Sequence, residues 1–159
     1  MVQKGYEKII ALRDMYSQAY CKRSNTIDKQ VTKGFIEHAN ISIREMSDPS
    51  KIKMHFAIME LEAWFLGMYD IFKKINSTLT VDYIKQELRF ALNSIDPQNE
   101  FFKPTNDMER IYDLVRMQYH KKEHDIESLC SKMDTNDFSN AFENGRCTSF
   151  KAFYDEILN

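Results

Sequence analysis

Two short apolar runs limit this chain most, because one helix-length stretch separates them. The first is Glu7-Lys8-Ile9-Ile10-Ala11-Leu12, which stops at Arg13-Asp14. The second is Ile52-Lys53-Met54-His55-Phe56-Ala57-Ile58-Met59. Runs this short, with β-branched residues, belong to buried strands more often than to helices. Between them Met15 to Asn25 has no clear period and reads as loop. Thr26 or Asp28 can cap a helix. Ile36, Ala39, Ile43 and Met46 then recur at three- and four-residue spacing, one face of a helix that runs through Glu45. Ser47-Asp48-Pro49-Ser50 breaks it, since the residue before proline avoids the helical region. Strand, helix, strand in this order predicts a parallel, right-handed βαβ unit.

Beyond Glu60 the pattern is helical. Leu61, Trp64, Phe65, Met68, Ile71 and Phe72 keep helical spacing to about Ile75. Thr80 can cap a helix from Val81 to about Leu92. Asn93 to Lys103 reads as a loop ending at Pro104. Met108, Ile111, Leu114, Val115 and Tyr119 mark one helix, and Ile126, Leu129, Cys130 and Met133 another. Phe138 and Phe142 anchor a short turn, Asn144-Gly145 ends it, and Phe150, Phe153, Tyr154 and Ile157 mark a terminal helix. Four glycines and three prolines in 159 residues are few for a turn-rich all-β fold. The expected class is therefore α/β and helix-rich. One domain spans 1–159, with a βαβ part over 1–75 and a helical part over 76–159.

Composition excludes several classes. The chain is 43% hydrophobic, enough for a core, and its net charge of −2 excludes a polybasic nucleic-acid binder. No segment approaches the roughly 20 apolar residues of a membrane span, and Met1 to Tyr6 has no apolar leader core. Cys21, Cys130 and Cys147 are odd in number and lack a CxxC, so they signal neither a disulfide frame nor a zinc site. A reduced, cytoplasmic protein is the expectation.

Chemistry is expected at one edge of the sheet. Parallel strands of a βαβ unit end together, and ligands bind outside their carboxyl ends. Asp14 follows the first run; Glu60 and Glu62 follow the second. Three carboxylates brought together repel unless a cation joins them. Mg²⁺ or Mn²⁺ suits such oxygens, and phosphoryl transfer or phosphodiester cleavage suits such a site. Arg13 and the Lys121-Lys122 pair are candidate phosphate contacts. The competing explanation is that these acids are helix caps, favoured at the positive end of a helix dipole. His120 and His124, four apart, read as a solvated basic turn rather than as metal ligands. His55 and Trp64 read as core residues.

Four segments carry a resemblance. Tyr6 to Tyr16 resembles the central strand of a bacterial Toprim-like family that is known as a domain of unknown function. Met59-Glu60-Leu61-Glu62-Ala63-Trp64-Phe65-Leu66 resembles its E-x-E-A-W-F-L segment. Tyr119-His120-Lys121 resembles its Y-x-K segment, and Arg146-Cys147 with Phe150 its R-C-x-x-F close. The resemblance implies a partial Toprim-like core holding Mg²⁺ through Asp14, Glu60 and Glu62. It also implies nuclease-like work on nucleic acid beside an AAA-type or other P-loop ATPase partner, in settings that look like phage defence. Two features depart from the family. Its E-G-x-(T/S)-E strand has no counterpart before Tyr6, and Tyr16 stands where a D-x-D pair has its second aspartate. The chain thus resembles the C-terminal half or two-thirds of a member, which implies a metal site that is incomplete or that a partner chain completes. A two-strand remnant also leaves an open sheet edge, so the expectation is either a homo-oligomer or docking onto another subunit. The alternative is a non-catalytic protein–protein interaction module.

Overall fold

The computed structural model describes residues 5–159; the reading of Met1 to Lys4 as lacking a leader core lies outside them. Strand β1 (Ile9–Asp14) pairs in parallel with β2 (Ile52–Ala57), from Ile9 opposite Ile52 to Asp14 opposite Ala57. The two strands form one sheet, and the crossover between them holds a short helix α1 (Gln18–Cys21) and a long one, α2 (Lys29–Arg44). The expected loop over Met15 to Asn25 is therefore partly helical. Its turn is local: the Ser17 hydroxyl accepts from the Tyr20 N–H, which satisfies one free donor of the first turn. Buried Tyr20 then fixes the start of α2, because its hydroxyl accepts from the Asp28 N–H at 2.9 Å. Asp28 caps α2 by accepting from the Gln30 and Val31 N–H groups.

Beyond the sheet come α3 (Glu62–Gly67), α4 (Ile71–Ile75), α5 (Val81–Leu88), α6 (Pro97–Glu100), α7 (Pro104–Asp113), α8 (Glu123–Cys130), α9 (Thr135–Phe142) and α10 (Thr148–Leu158). The class is mixed α/β and helix-rich, as expected. Among the described residues no helix is long and apolar enough to cross a membrane.

Several boundaries differ from the periodicity, each for a local reason. β2 ends at Ala57, and the apolar residues after it fill a buried turn in which Met59 takes φ +63°. The helix expected to run to Ile75 breaks after Gly67, where Met68 takes ψ +50°. That expected to reach Leu92 stops at Leu88, because Arg89 enters the left-handed region at φ +66°. Phe138 and Phe142 belong to a full helix rather than a turn, opened by Asp134 and Asp137 in a reciprocal capping box.

Two apolar cores result. The larger gathers α3 to α10 around Trp64, Phe72, Leu66 and Ile111. Trp64 stacks on Phe150 with centroids 5.0 Å apart, and its indole N–H donates to the Ser149 hydroxyl. Arg146 is buried at the α9–α10 corner and donates to the carbonyls of Leu92, Ile95, Asn140 and Glu143, tying that corner to the chain after α5. The smaller core joins Met15, Tyr20, Phe56 and Met59 beneath α2. The expectation that both strands are buried is corrected here. β1 has no buried residue and α2 has none either, because a two-strand sheet has too little width to cover both. An open groove of about 530 Å³ lies between α2 and the sheet, lined by Arg13, Phe35, Ala39, Ile43, Met54 and Phe56.

Two outcomes follow from this packing. A Cβ added at Gly67 would lie 2.5 Å from Cys147 Sγ, against backbone and side chain of Ala141. Gly67→Ala is expected to cost about 1–3 kcal/mol by overpacking, read as a lower urea midpoint, with part recovered in Gly67→Ala/Cys147→Ala. An unchanged midpoint would contradict that close approach. His55 faces α10, with Phe153 edge-on at 5.6 Å and Glu156 Oε2 at 4.0 Å from Nε2. Burial lowers its pKa from the ordinary value of 6.5; Glu156 opposes this, and Lys8 and Lys53 add to it. The unfolded chain therefore takes up this proton first as pH falls. The stability due to neutral His55 is complete above about pH 6.5 and is lost below it. Stability measured toward acid is expected to fall less steeply in His55→Gln; identical slopes would contradict this.

Candidate functional site

Asp14 is the last residue of β1, Glu60 sits in the turn after β2, and Glu62 opens α3. The parallel register puts Asp14 beside Ala57, three residues before Glu60. The ladder continues past the strands, with the Tyr16 N–H donating to the Met59 carbonyl. That bond holds the turn against the end of β1, so the three acids share one edge of the sheet as expected.

Each carboxylate has one oxygen tied by a separate donor. Asp14 Oδ1 accepts from the Leu61 N–H at 3.0 Å. Glu60 Oε2 accepts from the Thr105 N–H and hydroxyl at 2.9 and 2.8 Å, in the first turn of α7. Glu62 Oε1 accepts from the Tyr119 hydroxyl at 2.8 Å. Helix capping is thus part of what Asp14 and Glu60 do, although Glu60 serves a different helix from the one it precedes.

The other oxygens meet a single charge. Lys121 Nζ lies 2.8 Å from Glu62 Oε2, 3.3 Å from Asp14 Oδ2 and 3.5 Å from Glu60 Oε1. Glu62 Oε2 is buried and makes no hydrogen bond of proper angle; the Lys121 charge is its partner. The centre runs from closed to open: the side chain of Glu62 is 0% exposed, Glu60 13%, Lys121 33% and Asp14 37%. Burial pulls the Lys121 pKa down, but Glu62, then Asp14 and Glu60, outweigh it, and the net direction is up. The Tyr119 phenol is pushed strongly up, first by burial and then by the Glu62 charge, so it stays a donor.

Lys121 reaches this position by an unusual backbone. It lies between α7 and α8 with φ +55°, a conformation that costs a non-glycine residue energy unless its surroundings impose it. Asp125 imposes it from one side, accepting from the His120 and Lys122 N–H groups. Met59, just before Glu60, has the same sign of φ.

The structure separates the three expected phosphate contacts. Lys121 is the counter-ion of all three acids. Arg13 alternates with Asp14 along β1 and lines the groove under α2, on the other face of the sheet. Lys122 is exposed at the start of α8 and pairs with none of the three acids. His120 lies outside α8 and His124 within it, beside Asp125, so the two share no helix face. Tyr119 and Thr105 went unassigned, although Pro104-Thr105 at a helix start marks free N–H groups.

The donor set fits a hard divalent cation: three carboxylates, each with one oxygen not held by another donor. As the side chains stand, no three His, Cys, Asp or Glu residues among those described are grouped to hold a metal ion; the ammonium lies among the oxygens instead. Comparison with known protein families, curated proteins and solved structures finds no match to this chain.

Tyr119→Phe tests the anchoring of Glu62 without touching Lys121. Loss of that donor is expected to lower stability by about 1–3 kcal/mol, because it strands a buried carboxylate oxygen. A change within about 0.5 kcal/mol would mean that Tyr119 does not anchor the acid.

Proposed function

We propose that the edge formed by Asp14, Glu60 and Glu62 binds Mg²⁺ or Mn²⁺ and acts on a phosphodiester, as a nuclease or phosphotransfer centre. One observation carries this reading: each carboxylate has one oxygen held by its own donor and the other turned toward a common point. Such anchoring orders ligands before a cation arrives, so little is spent on arranging them at binding. A divalent cation supplies Lewis-acid chemistry at a phosphoryl group when bound. The protein's own part is to hold three oxygens in place, to keep Glu62 away from water, and to bring a lysine to the mouth of the site. Lys121 is then the phosphate contact, with Lys122 beside it; Arg13 takes no part. The Toprim-like resemblance supports the same chemistry and adds an ATPase partner and a setting in phage defence.

A second reading is a non-catalytic interaction module. The half-covered sheet favours it: Met46 is exposed at the groove under α2, and Ile36 and Ile41 are exposed on α2 itself. Calorimetry separates the two. Mg²⁺ and Mn²⁺ are titrated into the wild type, Glu62→Ala and Asp14→Asn, with folding of each followed by circular dichroism. Metal binding that weakens about tenfold or more in both variants is expected, and cleavage of a labelled oligonucleotide should fail with it. A wild type with no divalent affinity below the millimolar range would overturn the metal reading in favour of the module.

A further inference from the structure

We propose that the Lys121 ammonium is a tethered occupant of the cation position, and that a divalent ion and a phosphate-bearing anion displace it together. The proposal rests on the reading above, that the three carboxylates take a divalent ion. It adds how that site is regulated.

The donors that fix Asp14, Glu60 and Glu62 are the Leu61 N–H, the Thr105 N–H and hydroxyl, and the Tyr119 hydroxyl. Lys121 adds one hydrogen bond to this set, from Nζ to Asp14 Oδ2 at 3.3 Å. The others stay when the ammonium leaves, so the free oxygens keep their direction. Glu62 Oε2 points at that position from full burial and without a hydrogen bond. Three carboxylates against one ammonium leave two negative charges unbalanced. Among the described residues no other Lys, Arg or His pairs with any of the three. Exchange of the single charge for a double one improves that balance.

The ammonium is also built to leave. It is a compact charge on a flexible stem, its side chain is one-third exposed, and the other open member of the cluster is Asp14. The open side of the cluster is the Asp14 side, the most exposed of the three acids. Outside, the ammonium is a lone cation at the mouth of the site, and a phosphate oxygen is a strong partner for it. Divalent ion and anion then help each other, and the gain is the same in both directions.

The test is Mg²⁺ calorimetry on the wild type and Lys121→Met, each with and without dimethyl phosphate, a phosphodiester anion. Lys121→Met is expected to bind Mg²⁺ tighter by about tenfold or more, within the usual range of site coupling. Its affinity should rise less with the anion than that of the wild type does. Thermal unfolding gives a readout apart from binding heat: the variant should lose stability without Mg²⁺ and gain more from it than the wild type. If the variant does not fold, the anion dependence of the wild type decides. Measurable Mg²⁺ binding by the wild type with equal or weaker binding by Lys121→Met overturns the inference and leaves the carboxylate site standing. Wild-type affinity unmoved by the anion overturns it as well. Absence of Mg²⁺ binding in both proteins overturns the carboxylate reading itself, and this inference with it.

Discussion

Three carboxylates around one ammonium are the constraint on which the arrangement of this protein depends. Glu62 has no access to water, and a buried carboxylate without an opposite charge is among the most costly groups a fold can contain. Its partners come from one segment after α7: the Tyr119 hydroxyl on one oxygen and the Lys121 charge on the other. Asp14 and Glu60 bring the end of β1 and the start of α7 to the same point. Four separated stretches of chain are thereby fixed to one another through a few polar contacts, where the two apolar cores adjoin.

The cores explain why the point lies there. Met15 and Met59 belong to the small core beneath α2, and each directly neighbours a member of the acidic centre in the chain. Ala63 and Trp64 follow Glu62 into the buried interior, and Tyr119 joins the large core with Tyr112 at 5.4 Å between ring centroids. Polar heads on apolar anchors give a rigid site, since each head moves only if a buried neighbour moves. Positive φ at Met59 and Lys121 has the same origin: packing and hydrogen bonds on both sides hold the backbone where it would not go alone.

Much of this was legible in the chain itself. Two apolar runs and one periodic stretch predicted the parallel βαβ unit, and its topology alone placed Asp14, Glu60 and Glu62 on a common edge. Asp28 and Thr80 were legible as helix caps because their side chains act on neighbours two or three residues away. What escaped was long-range. Lys121 reads only as a phosphate contact because no local pattern reveals an acid 107 residues away. Tyr119 continued a helical period by coincidence, while α7 ends at Asp113. Ile58 and Met59 read as strand because burial, not strand geometry, selected their apolar character. β1 read as buried because an isolated run does not tell how many strands stand beside it.

The most direct measurement is a crystal structure of the protein grown or soaked with Mn²⁺, with anomalous scattering used to locate the ion. The account requires one Mn²⁺ peak in contact with carboxylate oxygens of Asp14, Glu60 and Glu62, and the Lys121 side chain turned out toward solvent. A crystal saturated with Mn²⁺ that shows no peak there, with Lys121 still between the three acids, would contradict it. The ammonium would then be a permanent structural counter-ion.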